Sequence, residues 1–365
     1  MKEMLLSLCA ACFTLGIAAQ TKEVKFSLLE TTDVHGNYLP YNFITGEDGT
    51  GSMARVYTYV KQLRQTEGKE HVVLLDNGDI LQGQPIAYYY NYIDTKSPHL
   101  CSAVLNYMQY DAGTVGNHDV ETGHAVYDRW VKQCKFPMLG ANVIVTKNEK
   151  PYWKPYTIIE RQGVKIAVLG MITPGIPMWL PENLWSGLRF DDMLQVAQRY
   201  MPEMRKKADI VVGLFHSGVG KDKGTPIAAE NASVAVAENV PGFDIVFCGH
   251  DHRRANRRIV NTAGDSVWVL NPAAQAHAIA KADFTITLNG KKVVSKKVEG
   301  SLVDIDHLTP DADFMKTFAT QFEQGKKFTN DLVGKSQNTM ESVPAFFGPS
   351  AFIDFIHQMQ LQIGK

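Results

Sequence analysis

Three short polar segments are the most informative feature of this chain: GNHD at residues 116–119, DVHG at 33–36 and NGD at 77–79. Each follows closely on an apolar run. Asp, His and Asn side chains rarely fill a hydrophobic core, whereas their oxygen and nitrogen atoms bind metal ions. The segments therefore indicate a metal site built from loops that follow buried strands.

Apolar, β-branched runs along the chain predict buried strands, and segments with helical periodicity lie between many of them. The predicted strands are 24–31, 71–76, 113–115, 164–171, 209–215, 244–248, 266–270 and 282–288. The predicted helices are 53–64, 99–110, 125–134, 192–207 and 228–239. Strands that alternate with helices predict an α/β domain. Turns at 263–265 (AGD) and 288–290 (LNG) predict antiparallel pairing of the later strands, so we expect two packed sheets with helices outside.

Histidines follow two of the predicted strands in the second half of the chain. His216 comes after strand 209–215, and His250 and His252 (in GHDH) come after strand 244–248. In open α/β sheets, ligands bind outside the carboxyl ends of the strands. The three polar segments and these two histidine-bearing segments are therefore expected to converge on one place.

The converging loops offer carboxylate, amide and imidazole donors, and no thiolate. Such a set suits the divalent metals Mn, Zn, Fe and Co. There are too many donors for one tetrahedral ion and enough for two ions that share a bridging carboxylate. Alternate residues of an extended segment point to one side, which would bring Asp33 beside His35 and His250 beside His252. Glycines are expected to allow the backbone turns that a β-carbon would obstruct; they are Gly36, Gly78, Gly116 and Gly249.

Taken in order, the motifs DVHG, GD, GNHD, His216 and GHDH resemble those of the calcineurin-type metallophosphoesterases. The stretches LLETTDVHGNYLPYNF and FFGPSAFIDFI are similar to the exported 5′-nucleotidase and 2′,3′-cyclic-nucleotide phosphodiesterase branch of that family. The resemblance covers roughly residues 24–345 as the family's catalytic domain. It implies an α/β fold, a four-layer α/β/β/α sandwich of two mixed sheets flanked by helices.

The resemblance also implies a role for each site residue. It assigns one metal ion to Asp33, His35, Asp79 and His252. It assigns the second ion to Asp79, Asn117, His216 and His250, so that Asp79 is the bridge. His118 would face the phosphate and the leaving group as a general acid, oriented by either Asp119 or Glu121. His277 has no counterpart in the motifs, and we expect it to be structural.

The implied function is metal-dependent hydrolysis of nucleotide phosphomonoesters, of the 5′-nucleotidase type, by hydroxide held between the two ions. An alternative on the same metal centre is a 2′,3′-cyclic-nucleotide 2′-phosphodiesterase/3′-nucleotidase. A hypothesis from another class is a non-catalytic exported metal-binding domain or an inactive fragment. His118 argues against this last hypothesis, because a protein that only binds metal does not need it.

The ends of the chain predict its organisation and location. Residues 1–20 have Lys2, an apolar run and small residues at the end, which is typical of a secretory signal peptide; a lipid anchor on Cys12 is the minor alternative. We therefore expect an exported, periplasmic protein.

The expected domain divisions are a catalytic domain at 21–306, a linker with a helix at 307–345, and at 346–365 the start of a truncated C-terminal nucleotidase domain. The missing part of that domain would be the intramolecular partner. Thr309-Pro310 predicts the start of the linker helix, and its aromatic stripe (Phe314, Phe318 and Phe322) is expected to pack on the core.

Composition excludes several other classes. The 365 residues are 45% hydrophobic and 21% charged, with a formal net charge of −1, as in ordinary globular proteins. The sequence has no basic tract that would bind a nucleic-acid polymer, and no run long enough for a transmembrane span. Cys101, Cys134 and Cys248 allow one disulfide at most, so the fold cannot depend on a dense disulfide framework.

Overall fold

The computed structural model describes residues 21–220, 230–337 and 339–364. The predicted signal peptide and Cys12 lie outside these residues. The strands are β1 (Thr21–Thr31), β2 (Tyr41–Asn42), β3 (Glu47–Asp48), β4 (Val72–Asp76), β5 (Ala112–Thr114), β6 (Met138–Leu139), β7 (Val143–Val145), β8 (Lys150–Pro151), β9 (Tyr156–Arg161), β10 (Val164–Ile172), β11 (Leu188–Phe190), β12 (Ile210–His216), β13 (Ile245–Cys248), β14 (Ala255–Val260), β15 (Ser266–Asn271), β16 (Ala278–Asn289) and β17 (Lys292–Asp304). The α-helices are α1 (Met53–Glu67), α2 (Pro85–Tyr88), α3 (Leu100–Met108), α4 (Asn117–Val120), α5 (His124–Gln133), α6 (Ile176–Trp179), α7 (Met193–Lys207), α8 (Ser233–Asn239), α9 (Ala312–Thr317), α10 (Ala319–Asn330) and α11 (Ala351–Ile363).

Two six-stranded mixed sheets form the centre of the fold. The first sheet has the order β17-β16-β1-β4-β5-β6, in which β1, β4, β5 and β6 are parallel. The second sheet has the order β14-β15-β13-β12-β10-β9, in which β15, β13, β12 and β10 are parallel. Antiparallel pairing occurs toward the margins of the sheets. In the first sheet β16 pairs antiparallel with β1 and β17, and in the second β14 pairs antiparallel with β15 and β9 with β10.

Successive side chains of the central strands point to opposite faces of each sheet. They contribute to three hydrophobic clusters, which lie between four layers of secondary structure. On β12, Ile210, Val212 and Leu214 face the cluster between the two sheets. Val211 and Phe215, which alternate with them, face the cluster shared with α7 and α8. A third cluster packs the other face of the first sheet against α1, α3 and α5. The expected α/β/β/α sandwich with two mixed sheets is confirmed.

The predicted strands and helices are present, with shifts of a few residues at their ends. Residues 228–229 of the predicted helix 228–239 lie outside the described residues, and in the described part α8 covers Ser233–Asn239. The AGD and LNG turns do join antiparallel strands, but β15 also pairs in parallel with β13. Exposed strands such as β17 escaped prediction because their side chains are mostly not buried and carry no apolar alternation. Among the described residues the three cysteines are free thiols, so the disulfide that the sequence allowed is not formed there.

The linker helix begins later than the sequence predicts. Asp311, not Thr309, is the N-cap of α9, because its carboxylate accepts the backbone N–H of Phe314. The aromatic stripe packs as expected, since Phe314 and Phe318 are buried in the cluster on the first sheet and Phe322 is partly buried there.

The described chain divides into two compact units, one up to Lys326 and one from Lys327 onward. In the second unit, α11 begins after Ser350, whose hydroxyl accepts the backbone N–H of Ile353. The domain limits that the sequence suggested remain predictions. None of the helices in the described ranges combines the length and apolar character of a membrane span.

Candidate metal centre

The predicted ligands come together at the carboxyl ends of the parallel strands. The first sheet contributes the loops after β1, β4 and β5, and the second sheet contributes the end of β12 and the loop after β13. A bond between the two sheets closes this edge, because Nδ1 of His216 donates to the carbonyl of Asn77 at 2.6 Å. One site is thus assembled from both sheets.

The first group of donors contains Asp33, His35 and His252, whose ligand atoms all lie within 4.8 Å of one another. The Asp33 carboxylate is fully buried, and its Oδ1 lies 3.3 Å from Nε2 of His252. The two imidazole Nε2 atoms, from His35 and His252, are 2.9 Å apart. Oδ1 of Asp33 is also 3.9 Å from Nε2 of His35, so the three atoms form a small triangle that could bind one cation.

The second group contains Asp79, His216 and His250, again with ligand atoms within 4.8 Å of one another. Nε2 of His216 lies 3.2 Å from Oδ2 of Asp79. The amide oxygen of Asn117 belongs with this group, since it lies 2.7 Å from Nδ1 of His250 and 3.1 Å from Nε2 of His216. All seven predicted ligands are therefore brought together.

Because this cluster is buried, the pKa values of its groups depend strongly on one another. Burial by itself raises the pKa of the Asp79 carboxyl, but the neighbouring imidazoles, His216 first among them, outweigh it and lower that pKa. Burial alone lowers the pKa of His216, but Asp79 outweighs it and raises that pKa to about 10. Buried carboxylates require a positive partner. Buried carboxylates, an amide oxygen and imidazoles without a thiolate are the donors that borderline divalent cations take, so the residues fit the metals that the sequence predicted.

The backbone that carries these ligands is unusual. Positive φ angles, between 49° and 71°, occur at five of the predicted ligands: Asp33, His35, Asp79, His250 and His252. Asp33 and His35 lie together as expected, but left-handed rather than extended backbone directs them. The expectation that His250 lies beside His252 is wrong, because the two join different donor groups. Non-glycine residues adopt this conformation at an energetic cost, and such strain clusters at functional sites.

The four motif glycines serve two different needs. Gly36 and Gly78 have positive φ angles, as expected for turns. Gly116 and Gly249 provide space instead. A β-carbon on Gly116 would lie 2.7 Å from the carboxyl carbon of Asp79, and one on Gly249 would lie 2.6 Å from Oδ2 of Asp33.

His118 stands beside the two donor groups rather than inside either. Its ring centroid is 5.6 Å from that of His35, and its side chain is 37% exposed, so it is accessible from outside. Nδ1 of His118 lies 2.5 Å from Oε2 of Glu121. Of the two acidic partners that the sequence left open, the structure places Glu121 on His118.

Asp119, the other candidate partner of His118, makes different contacts. It is fully buried, and its carboxylate accepts four backbone N–H groups at 2.8–2.9 Å, two on each oxygen. The four donors are Asp79, Ile80, Leu81 and Gly116. Asp119 therefore ties the Asp79 loop to the GNHD loop, and its carboxylate is not directed at His118.

Two neighbours of the centre were not anticipated from the sequence. Oε1 of Glu230 lies 2.8 Å from Nε2 of His250, and the Trp179 ring stacks on the His250 ring with centroids 5.6 Å apart. Neither residue belongs to a motif, so no local signal marked them. His277 takes no part in the centre; it pairs with Asp306 at 2.9 Å, as expected for a structural histidine.

The sandwich and the buried acid–imidazole cluster at its carboxyl edge define the metallophosphoesterase class of fold. The chain belongs to the calcineurin-like phosphoesterase family, whose family model matches residues 26–254. The resemblance stated from the motifs is thereby confirmed.

Individual relatives agree with this assignment. The 2′,3′-cyclic-nucleotide 2′-phosphodiesterase/3′-nucleotidase of Haemophilus influenzae is 31% identical over 94% of this chain and 56% of its own length. The crystal structure of the calcineurin-like phosphoesterase YfkN from Bacillus subtilis matches with a TM-score of 0.76 and 25% identity, over 85% of this chain and all of that one. A 5′-nucleotidase of Vibrio cholerae is 29% identical over 63% of this chain and 40% of its own length. The chain thus spans about half the length of the curated Haemophilus and Vibrio relatives.

Proposed function

We propose that this chain carries the catalytic centre of a metal-dependent phosphoric ester hydrolase that acts on nucleotides. The observation that supports the proposal most strongly is the placement of His118, paired with Glu121, beside two groups of metal-ligand atoms. A non-catalytic metal-binding protein, the hypothesis from another class, would have no use for this pair.

Each donor group would hold one divalent cation. Asp33, His35 and His252 would hold the first ion with Asp79, and Asp79 would also hold the second ion with Asn117, His216 and His250. Mn, Zn, Fe and Co all suit these donors. When bound, such a pair of ions activates water at neutral pH and offsets the negative charge of the phosphate in the transition state.

The role we assign to His118 is that of general acid. Because its Nδ1 faces the Glu121 carboxylate, Nε2 is the nitrogen that can give a proton to the leaving oxygen of the ester. Glu121 also fixes the direction of the ring, so the proton is held where the leaving group departs.

The substrate class has two candidates. Hydrolysis of 5′-nucleotide monoesters is the function expected from the motifs, and a 5′-nucleotidase is among the relatives. Hydrolysis of 2′,3′-cyclic nucleotides and 3′-nucleotides is favoured by the relative that aligns with 94% of this chain. The proposal also retains export to the periplasm and, from the resemblance of residues 346–365, a C-terminal nucleotidase domain as the intramolecular partner.

Phosphate release distinguishes the candidates. Residues 21–365 with added Mn²⁺ would be given 5′-AMP, 3′-AMP, 2′,3′-cyclic AMP and an aryl phosphate, with the His118→Ala protein as control. A preference for 5′-AMP supports the 5′-nucleotidase; turnover of the cyclic and 3′ esters supports the alternative. No release from any substrate by a chain that has bound Mn²⁺ would refute the catalytic proposal.

A further inference from the structure

The second nitrogen of His250 reaches a charged side chain. Nδ1 of His250 faces the metal-ligand group, 2.7 Å from the amide oxygen of Asn117. Nε2 points the other way and lies 2.8 Å from Oε1 of Glu230. Since a carboxylate only accepts, Nε2 carries the proton and Nδ1 is left with a free lone pair.

The main chain places Glu230 at this position. The hydroxyl of Ser217, the residue after His216, donates to the Glu230 carbonyl at 2.7 Å and accepts from the backbone N–H of Ala232 at 2.9 Å. Ser217 is fully buried, so these bonds anchor the segment that carries Glu230 to the end of β12.

Two glycines allow this segment to lie so close. A β-carbon on Gly218 would lie 2.7 Å from the side-chain carboxamide carbon of Asn231, the residue after Glu230. Gly220 has a φ of 84° and also faces the Asn231 backbone. The sequence His-Ser-Gly-Val-Gly therefore supplies both a ligand and the room for the segment that positions another ligand.

A third contact covers the His250 ring from one face. The indole of Trp179 lies nearly parallel to the imidazole, at an angle of 25°. The His250 side chain is consequently only 8% exposed, although that of Glu230 is 47% exposed. The ring is thus held in its plane by Trp179 and in its direction by Glu230.

We propose that Glu230 is a positioning residue for the second metal ion: it selects the His250 tautomer that leaves Nδ1 free to bind the ion, and its charge strengthens that ligand. The inference rests on the metal centre of the proposed function. The other ligand histidine of this group, His216, uses the backbone carbonyl of Asn77 for the same purpose, which no substitution removes. Glu230 is therefore the point at which the outer support of this ion can be tested.

The test is a titration of the metal-free chain with Mn²⁺, followed by calorimetry. The wild-type chain is expected to bind two ions. Glu230→Ala should weaken one of them by about 10- to 100-fold and leave the other unchanged, because among the described residues the ligand that Glu230 contacts is His250, in the second group. Glu230→Gln should lose less, because its amide oxygen can still accept from Nε2, and it also serves if the alanine variant folds poorly. The matched control is Glu182→Ala, at an exposed glutamate outside the centre.

Each outcome decides a different question. Wild-type affinity for both ions in Glu230→Ala would overturn the role of Glu230, and so would equal weakening of both ions. A wild-type chain that does not bind two ions would overturn it together with the metal centre. Phosphate release is measured in parallel: selective loss of one ion in a chain that hydrolyses no ester would support this inference while refuting the proposed function.

Discussion

The buried carboxylate of Asp119 offers the sharpest test of how the site is held together. Its two oxygens accept four backbone N–H groups, from residues 79–81 and 116. Asp119→Asn keeps one oxygen and turns the other into an NH₂ group, which cannot accept. Two buried N–H groups then lose their acceptor, and each unsatisfied group costs about 1–3 kcal/mol, so the free energy of unfolding should fall by about 2–6 kcal/mol.

Urea unfolding of the metal-free wild-type and Asp119→Asn chains would measure this loss directly. Using the metal-free form removes any contribution from altered metal binding. Glu121→Gln, the matched control, changes an acid two residues away with a 43% exposed side chain and should leave the free energy of unfolding within about 0.5 kcal/mol of wild type. If Asp119→Asn unfolded like the wild type but had lost turnover, Asp119 would be acting on His118 and our account of it would be wrong.

The structure also predicts the effects of three further substitutions. Glu121→Gln should keep both metal ions and lower turnover, by at most the roughly 10²–10⁴-fold that general acid catalysis supplies through His118; unchanged kcat would remove Glu121 from the mechanism. Gly249→Ala should weaken Mn²⁺ binding by the group that contains Asp33, because the new β-carbon would press on that carboxylate, and a titration showing two undisturbed ions would contradict this. His99 is buried with a pKa lowered to about 3, chiefly by burial, so the unfolded chain binds an extra proton between about pH 3 and 6.5 and stability should fall as the pH drops through that window. His99→Gln should flatten this slope in thermal melts recorded across the window, and parallel curves for the two proteins would argue against it.

The sandwich could be predicted from the sequence because its central strands are buried on both faces. Val72–Asp76 and Ile210–His216 are buried at every position, so each is a continuous apolar run with a polar residue at its carboxyl end. The edge strands are different. Tyr156–Arg161 has one buried residue in six, and its pairing with β10 depends on partners that local periodicity does not reveal.

The ligands were predictable by type and order, but their geometry was not. His250 and His252 are separated by one residue, which in extended chain would put them on one side; with φ angles of 71° and 53° they join different groups instead. The support of the ligands was harder still to foresee. Glu230 is 20 residues from His250, and only the folded chain brings their side chains together.

The measurement that tests the central claim most directly compares wild-type and His118→Ala chains, with bound Mn²⁺ and phosphate release determined on the same samples. We expect both proteins to bind two ions, because His118 lies outside both ligand groups. We expect the variant to lose turnover by about 10²–10⁴-fold. A variant that loses metal, or one that keeps wild-type turnover, would contradict the assignment of binding to the buried cluster and of proton donation to His118.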